Sequence, residues 1–262
     1  MDYSNILYEV DEGVATITMN QPDRRNALSL EMAEEIKDAV GSAAADGDVG
    51  TLVLTGTGKA FCAGGDVKSM AEGAELPVHE TRERILSYYH TALSVRDLDI
   101  PTIASLNGHA IGAGLTLALA CDMRLAAERA KMGVTFIQIG LHPGMGTTYF
   151  LPRLVGLAKA CELIFTAKVV DAREAERIGL VNAAVPAEEL EEKTRELALA
   201  IAKGPSIALR MAKHAVYQGV ESDLESVLKY EAFAQAACAQ TEDVREGVMA
   251  FIEKREPHFK GR

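Results

Sequence analysis

The chain has 262 residues, enough for one large domain or for a domain with a helical appendage. A chain of this length hides roughly three quarters of its unfolded surface. Hydrophobic residues make up 48% and charged residues 25%, which excludes a disordered chain, a collagen and a disulfide scaffold. Asp and Glu total 38 against 27 Lys and Arg, a formal charge of −11. That balance argues against nucleic acid as a partner, because the phosphate backbone selects for a basic face. An anionic ligand must then be met locally, by a few placed cations or by backbone amides.

The N-terminus, MDYSNILYEVDEG, lacks the basic stretch and apolar run of a signal peptide. The longest apolar run, Ala110 to Cys121, is too short to cross a bilayer, so no membrane partner is expected. Cys62, Cys121, Cys161 and Cys238 lie far apart with no CxxC pair, the pattern of reduced thiols in a cytoplasmic protein. The six histidines form no HExxH, and no metal is expected. Walker A, GxGxxG and GxSxG are absent, which removes the main support for a nucleotide or dinucleotide enzyme.

In chain order, residues 7–10 and 14–19 read as a hairpin around Asp11-Glu12-Gly13. Ser29 offers an N-cap to a helix with Leu30, Ala33, Ile36 and Val40 on one face, as far as Gly41 and Asp46-Gly47. Residues 51–55 form a buried-type strand that runs into a glycine-rich stretch ending at Asp66. Residues 69–97 read as helical after a charged start. A strand over 101–106 precedes Asn107-Gly108, a helix opens near Gly112, and 123–126 is a strand. A loop at 142–146 leads to a helix from Thr147. Helices over 156–166 and 171–179 and a strand over 180–185 follow, and 187–253 is nearly all helix.

The layout is α/β over residues 1–186, with a helical region over 187–262. The helical region has more apolar positions than the sheet can cover, among them Ile207, Met211, Val216, Phe233 and Phe251. They pack on their own domain or on another subunit.

Two glycine-rich turns each follow an apolar strand and lead into a helix: Ala63-Gly64-Gly65-Asp66 and Gly112-Ala113-Gly114. Without side chains in the way, backbone amides there can approach a ligand, and a helix N-terminus adds free N–H donors. Two such donors converging on one point make an oxyanion hole. Taken singly, each turn equally permits close packing of helix on strand.

These turns also carry a resemblance. The chain resembles the crotonase, or enoyl-CoA hydratase/isomerase, superfamily in Asn20-Gln-Pro-Asp-Arg-Arg-Asn-Ala-Leu28, Phe61-Cys-Ala-Gly-Gly-Asp-Val-Lys68, Asn107-Gly-His-Ala-Ile-Gly-Ala-Gly114, Ala120-Cys-Asp122 and Gly140-Leu-His-Pro-Gly-Met-Gly-Thr147. The stretches 152–156, 172–181 and 259–262 extend it to almost the whole chain. The resemblance implies a spiral of ββα turns with a C-terminal helical region that builds homotrimers, often paired into hexamers. It implies an acyl-CoA thioester substrate and no separate cofactor. It assigns the oxyanion hole to the amides of Gly65 and Ala113. For the CoA moiety it points to Arg25, Ala63, Gly64, Asp66, Gly112, Lys68 and Lys260. Lys68 and Lys260 also read as solvated surface charges, and Asp66 as a helix cap.

The chain departs from the hydratase pattern at the chemistry itself. The two acid–base glutamates of hydratases fall at Thr116 and Phe136, and neither residue exchanges a proton with water at a useful rate. His142 is the ionisable group left on the loop facing the expected reaction centre, and it reads equally as the residue that sets the Pro143-Gly144 turn. Glu72, Glu80, Tyr89 and His90 lie in the segment that lines the acyl pocket in relatives; spacing does not say which points inward. A hydratase or isomerase that stabilises a thioester enolate is expected. A decarboxylase or hydrolase of the same superfamily is the alternative, and a CoA-thioester binding subunit without catalysis is the reading from another class.

Overall fold

β1 (Ile6–Asp11) and β2 (Val14–Met19) form the predicted hairpin, with Ile6 opposite Met19 and a turn that Gly13 makes at φ 78°. This computed structural model describes residues 3–65 and 76–261. The hairpin starts a six-stranded sheet ordered β1-β2-β3-β5-β7-β10, in which β3 (Thr51–Gly56), β5 (Thr102–Leu106), β7 (Met123–Ala127) and β10 (Ala183–Val185) run parallel to β2. The strand expected over 180–185 is shorter, because the Leu180 carbonyl accepts from Arg124 Nε at 2.9 Å instead of entering the ladder.

A second sheet, β4-β6-β8-β9, consists of β4 (Ala60–Cys62), β6 (His109–Ile111), β8 (Lys131–Gly133) and β9 (Val170–Asp171). Sequence analysis predicts none of the four, since two or three residues show no period, and it places Asp171 in the following helix, which Asp171 instead caps through the Glu174 amide. Each of β3, β5 and β7 is thus followed by one strand of the small sheet, and helical structure comes next. This is the spiral of ββα turns.

α1 (Leu30–Ala45) is capped by Ser29, whose hydroxyl accepts from the Met32 amide at 3.2 Å, and buries Met32, Ala33, Ile36 and Val40. It runs through Gly41, beside which a side chain would meet nothing, and stops at Asp46. Of the helix expected over 69–97, α2 covers Val78–Ala92, and a separate 3-10 turn follows over Ser94–Asp97. α3 (Ala113–Ala120) is buried on every side, as its uniformly apolar Ala-Gly-Leu-Thr-Leu-Ala-Leu-Ala requires. α4 (Thr147–Val155), α5 (Leu157–Thr166) and α6 (Ala172–Arg177) follow.

α7 (Leu190–Ala202) lies on the outer face of the large sheet, where Leu190 and Ala198 join Val14, Val53, Ile103 and Leu125 in a second apolar cluster. α8 (Ser206–Gly219), α9 (Leu224–Cys238) and α10 (Glu242–Glu253) complete the chain. α8 is latched to the sheet through Asp122. That carboxylate accepts from Tyr217 Oη at 2.6 Å and the Thr102 amide at 2.7 Å, and pairs with Lys213 at 2.9 Å. α8 and α9 bury no residue fully, while Leu224, Phe233 and Phe251 of the last three helices and their linkers are 72%, 64% and 86% exposed.

Candidate active site

The first glycine turn is held from the stretch that precedes α1. Arg25 and Asn26 both take left-handed backbone, φ 52° and 53°, which turns the Arg25 carbonyl onto the Ala63 amide at 3.0 Å. Asn26, fully buried, fixes that turn with three bonds: its amide group donates to Thr57 O and Ala60 O at 3.0 and 2.9 Å, and its Oδ1 accepts from the Gln21 amide at 2.8 Å. The Arg25 side chain is exposed beside it. Leu28 then bridges to Gly65, through a bond of 2.8 Å from its amide to the Gly64 carbonyl. The Gly65 amide takes no part in that bond.

The second turn sits against the first. Gly64 has φ 114°, and a β-carbon on it would lie 3.0 Å from the Ile111 carbonyl oxygen and 4.0 Å from the Ala113 amide nitrogen. Gly112 has φ 54°, a backbone that glycine alone adopts without strain, and its amide donates to Gly133 O at 2.8 Å. Ala113 opens α3, so its N–H has no intrahelical acceptor and stands at the positive end of the helix. The structure thus brings Arg25, Ala63, Gly64, Gly65, Gly112 and Ala113 together. Asp66, Lys68 and Glu72 lie outside the described residues.

Thr116 lies one turn into α3, fully buried. Its hydroxyl reaches Gly112 O at 3.1 Å and the Thr147 hydroxyl at 2.6 Å, and Thr147 reaches Gly144 O at 2.8 Å. Two hydroxyl protons serve these three contacts, and one of them must lie between the threonines. Backbone amides of Thr116 and Thr147 also bond the same two carbonyls, so neither carbonyl is orphaned. Phe136 begins a single helical turn over 136–139 and packs half-buried against the main core. His142 is exposed, and its Nδ1 donates to the neighbouring Pro143 carbonyl at 2.8 Å. That bond leaves Nε2 as the unprotonated nitrogen of the neutral ring.

Of the acyl-pocket candidates, Glu80 and His90 are exposed, while Tyr89 is half-buried with its ring over Gly144. Lys260 is exposed too; its amide and that of Gly261 donate to the buried Asp243 carboxylate at 2.7 and 2.9 Å. Asn26, Thr147 and Asp243 are positioning residues that sequence analysis does not single out. Asn26 stands within a motif whose pattern is visible, but nothing near Thr147 or Asp243 announces a distant partner. Among the described residues no group of three or more His, Cys, Asp or Glu side chains could hold a metal ion, and no helix is long and apolar enough to cross a membrane.

A sequence model of the enoyl-CoA hydratase/isomerase family matches residues 9–262. The crotonyl-CoA hydratase of Syntrophomonas wolfei is 40% identical over 260 residues, covering 99% of both chains. The short-chain-enoyl-CoA hydratase of Clostridium acetobutylicum is 36% identical over the full length of both. The crystal structure of an enoyl-CoA hydratase from Bacillus anthracis superimposes with a TM-score of 0.92 at 39% identity, over 99% of this chain and 100% of that one. With the ββα spiral and both glycine turns in place, the chain belongs to the enoyl-CoA hydratase/isomerase family.

Proposed function

We propose that the protein binds an acyl-CoA thioester and holds its carbonyl oxygen between the amides of Gly65 and Ala113 while that oxygen takes on enolate charge. The observation that carries this reading is the close seating of the two turns, so close that a β-carbon on Gly64 would lie 4.0 Å from the Ala113 amide nitrogen. Donors fixed in advance at the place where charge develops lower the barrier because they strengthen in the transition state. Where single donors of this kind have been removed, the cost is about 3–4 kcal/mol. The chemical relatives support the substrate class: the Syntrophomonas and Clostridium proteins are named for crotonyl-CoA and short-chain enoyl-CoA.

Arg25, Ala63, Gly64, Asp66, Lys68 and Gly112 would face the CoA moiety, with Lys260 supplying a further cation. At a net charge of −11, such placed cations are what a polyanionic ligand requires. No separate cofactor takes part, and the protein works in the cytoplasm. The exposed apolar faces of α8–α10 support a homotrimer or a hexamer of two trimers. Light scattering on Phe251→Glu checks this: the wild-type mass of three or six chains should fall.

The second reading within the family rests on Thr116 and Phe136. The Thr116 hydroxyl is committed to Gly112 and Thr147, and Phe136 offers only a ring, so no acid–base pair stands where hydration needs one. An enolate site of this kind suits a substrate that supplies its own electrons, as in decarboxylation, or hydrolysis of an activated thioester. Incubation of butyryl-CoA in heavy water, followed by mass spectrometry, separates the readings: deuterium at the α-carbon above background supports an enzyme with a working base, and turnover on an acyl-CoA panel without exchange supports a substrate that supplies its own electrons. Binding with neither exchange nor turnover on an acyl-CoA panel would leave a binding subunit in place of an enzyme.

A further inference from the structure

Two successive tyrosines near the end of α2 touch the two halves of the site. Tyr88 Oη donates to Leu28 O at 2.9 Å, and Leu28 is the residue bridged to Gly65. Tyr89, one residue on, lies against the other half. A β-carbon on Gly144 would fall on the Tyr89 hydroxyl oxygen and lie 3.0 Å from its Cζ. Gly144 gives its carbonyl to Thr147, and Thr147 bonds Thr116 one turn from Ala113. The Tyr89 phenol is therefore seated against the loop that leads to Thr147 and its partner Thr116, in space that exists only because residue 144 has no side chain.

Tyr89 is half-buried, and α2 is otherwise exposed along most of its length, with Ala92 its buried residue. Its hydroxyl donates to no acceptor among the described residues. Phenols whose ring is packed keep their O–H for a partner. A donor beside a site whose acid–base positions hold Thr and Phe is placed to meet an acceptor oxygen on a ligand.

We infer that Tyr89 reads the acyl chain beyond the thioester, donating a hydrogen bond to an oxygen carried on the acyl group, a ketone or a carboxylate. The inference rests on the acyl-CoA reading above and gives it a substrate class, the oxygenated short acyl thioesters. A site built to bond a substrate oxygen discriminates against the analogue that lacks it.

The test is calorimetric titration of the full-length protein with acetoacetyl-CoA and butyryl-CoA, which differ by one acyl ketone oxygen. The wild type should prefer acetoacetyl-CoA by about tenfold, the scale of one hydrogen bond. Tyr89→Phe keeps the ring and should bring the ratio near one. Gly144→Ala keeps the hydroxyl but fills its seat, and should also collapse the ratio; this variant serves if Tyr89→Phe fails to fold. A purely structural role for Tyr89 would shift both affinities together and leave the ratio intact. A wild-type ratio near one, or a preference that survives in Tyr89→Phe, overturns the assignment of Tyr89 alone. Failure of the wild type to bind either thioester overturns the acyl-CoA reading and the inference with it.

Discussion

Gly114 packs directly on Cys62. A β-carbon at 114 would lie 2.7 Å from Cys62 Cβ and 2.8 Å from its carbonyl carbon, atoms of a β4 strand that cannot swing aside. Glycine therefore lets the first turn of α3 close on the end of β4, and that closure sets the spacing between Ala113 and Gly65. Gly114→Ala must push the two apart. Overpacking of this kind costs about 1–3 kcal/mol. Denaturation in urea should show that loss, and turnover of the acyl-CoA that the wild type converts should fall further than CoA binding does. Turnover at the wild-type rate in a folded variant would separate the hole from this contact.

Asn26 carries the opposite turn by hydrogen bonds. Removal of its side chain in Asn26→Ala takes a partner from the part-buried Thr57 carbonyl and Gln21 amide and from the buried Ala60 carbonyl, which keeps a 3.4 Å contact with Asn107 Nδ2. Each unsatisfied buried group costs about 1–3 kcal/mol, although relaxation recovers part of the sum. The left-handed backbone at Asn26 adds to the loss, since asparagine tolerates it better than alanine. A stability loss of about 2–4 kcal/mol is expected, together with weaker CoA binding as Arg25 loses its fixed carbonyl. Urea midpoints and CoA titration check both parts.

The long elements were legible because burial imposes a period on them. α1 shows its face through Met32, Ala33, Ile36 and Val40, and the hairpin shows alternation between Val14 and Met19. The glycine turns were legible as well, because Gly64 and Gly112 need conformations that other residues avoid. The small sheet was not. β4, β6, β8 and β9 are too short to display a period, and their partners are brought by the fold from far along the chain. Positioning pairs such as Thr116–Thr147 or Lys260–Asp243 were hidden for the same reason: spacing of 31 or 17 residues carries no local signature.

The four cysteines divide by burial. Desolvation pushes the Cys62 thiol up to about 11 and the Cys121 thiol up to about 12. A raised value keeps the group protonated below it, so at pH 8 both remain thiols, and the thiolate is the nucleophile. Cys161 and Cys238 are only partly buried. Iodoacetamide at pH 8 should label Cys161 and Cys238 first, with Cys62 and Cys121 modified only after denaturant is added, as peptide mass spectrometry would show. Because Gly114 closes on Cys62, Gly114→Ala should speed labelling of Cys62 more than that of Cys121.

The departure at Thr116 can be tested by reversing it, and the structure says what the reversal needs. Glutamates at 116 and 136 would restore an acid–base pair, but Thr116 is fully buried with Thr147 Oγ1 only 2.6 Å away. A longer side chain at 116 meets Thr147 before it can turn toward a substrate. A carboxylate held there would also be desolvated unless it is bonded or reaches water. Thr147→Gly removes the obstruction and sits at the first position of α4, where a lost side chain disturbs the helix least. Thr116→Glu with Phe136→Glu should therefore give little hydration of crotonyl-CoA, and addition of Thr147→Gly should raise it by about a hundredfold, the low end of the 10²–10⁴-fold range typical of general acid–base catalysis. The check is loss of the enoyl absorbance, with melting curves to show that each variant folds. If both folded variants hydrate crotonyl-CoA no faster than the wild type, the glutamate positions do not correspond to 116 and 136, and the reading of this site as one that forgoes hydration loses its ground.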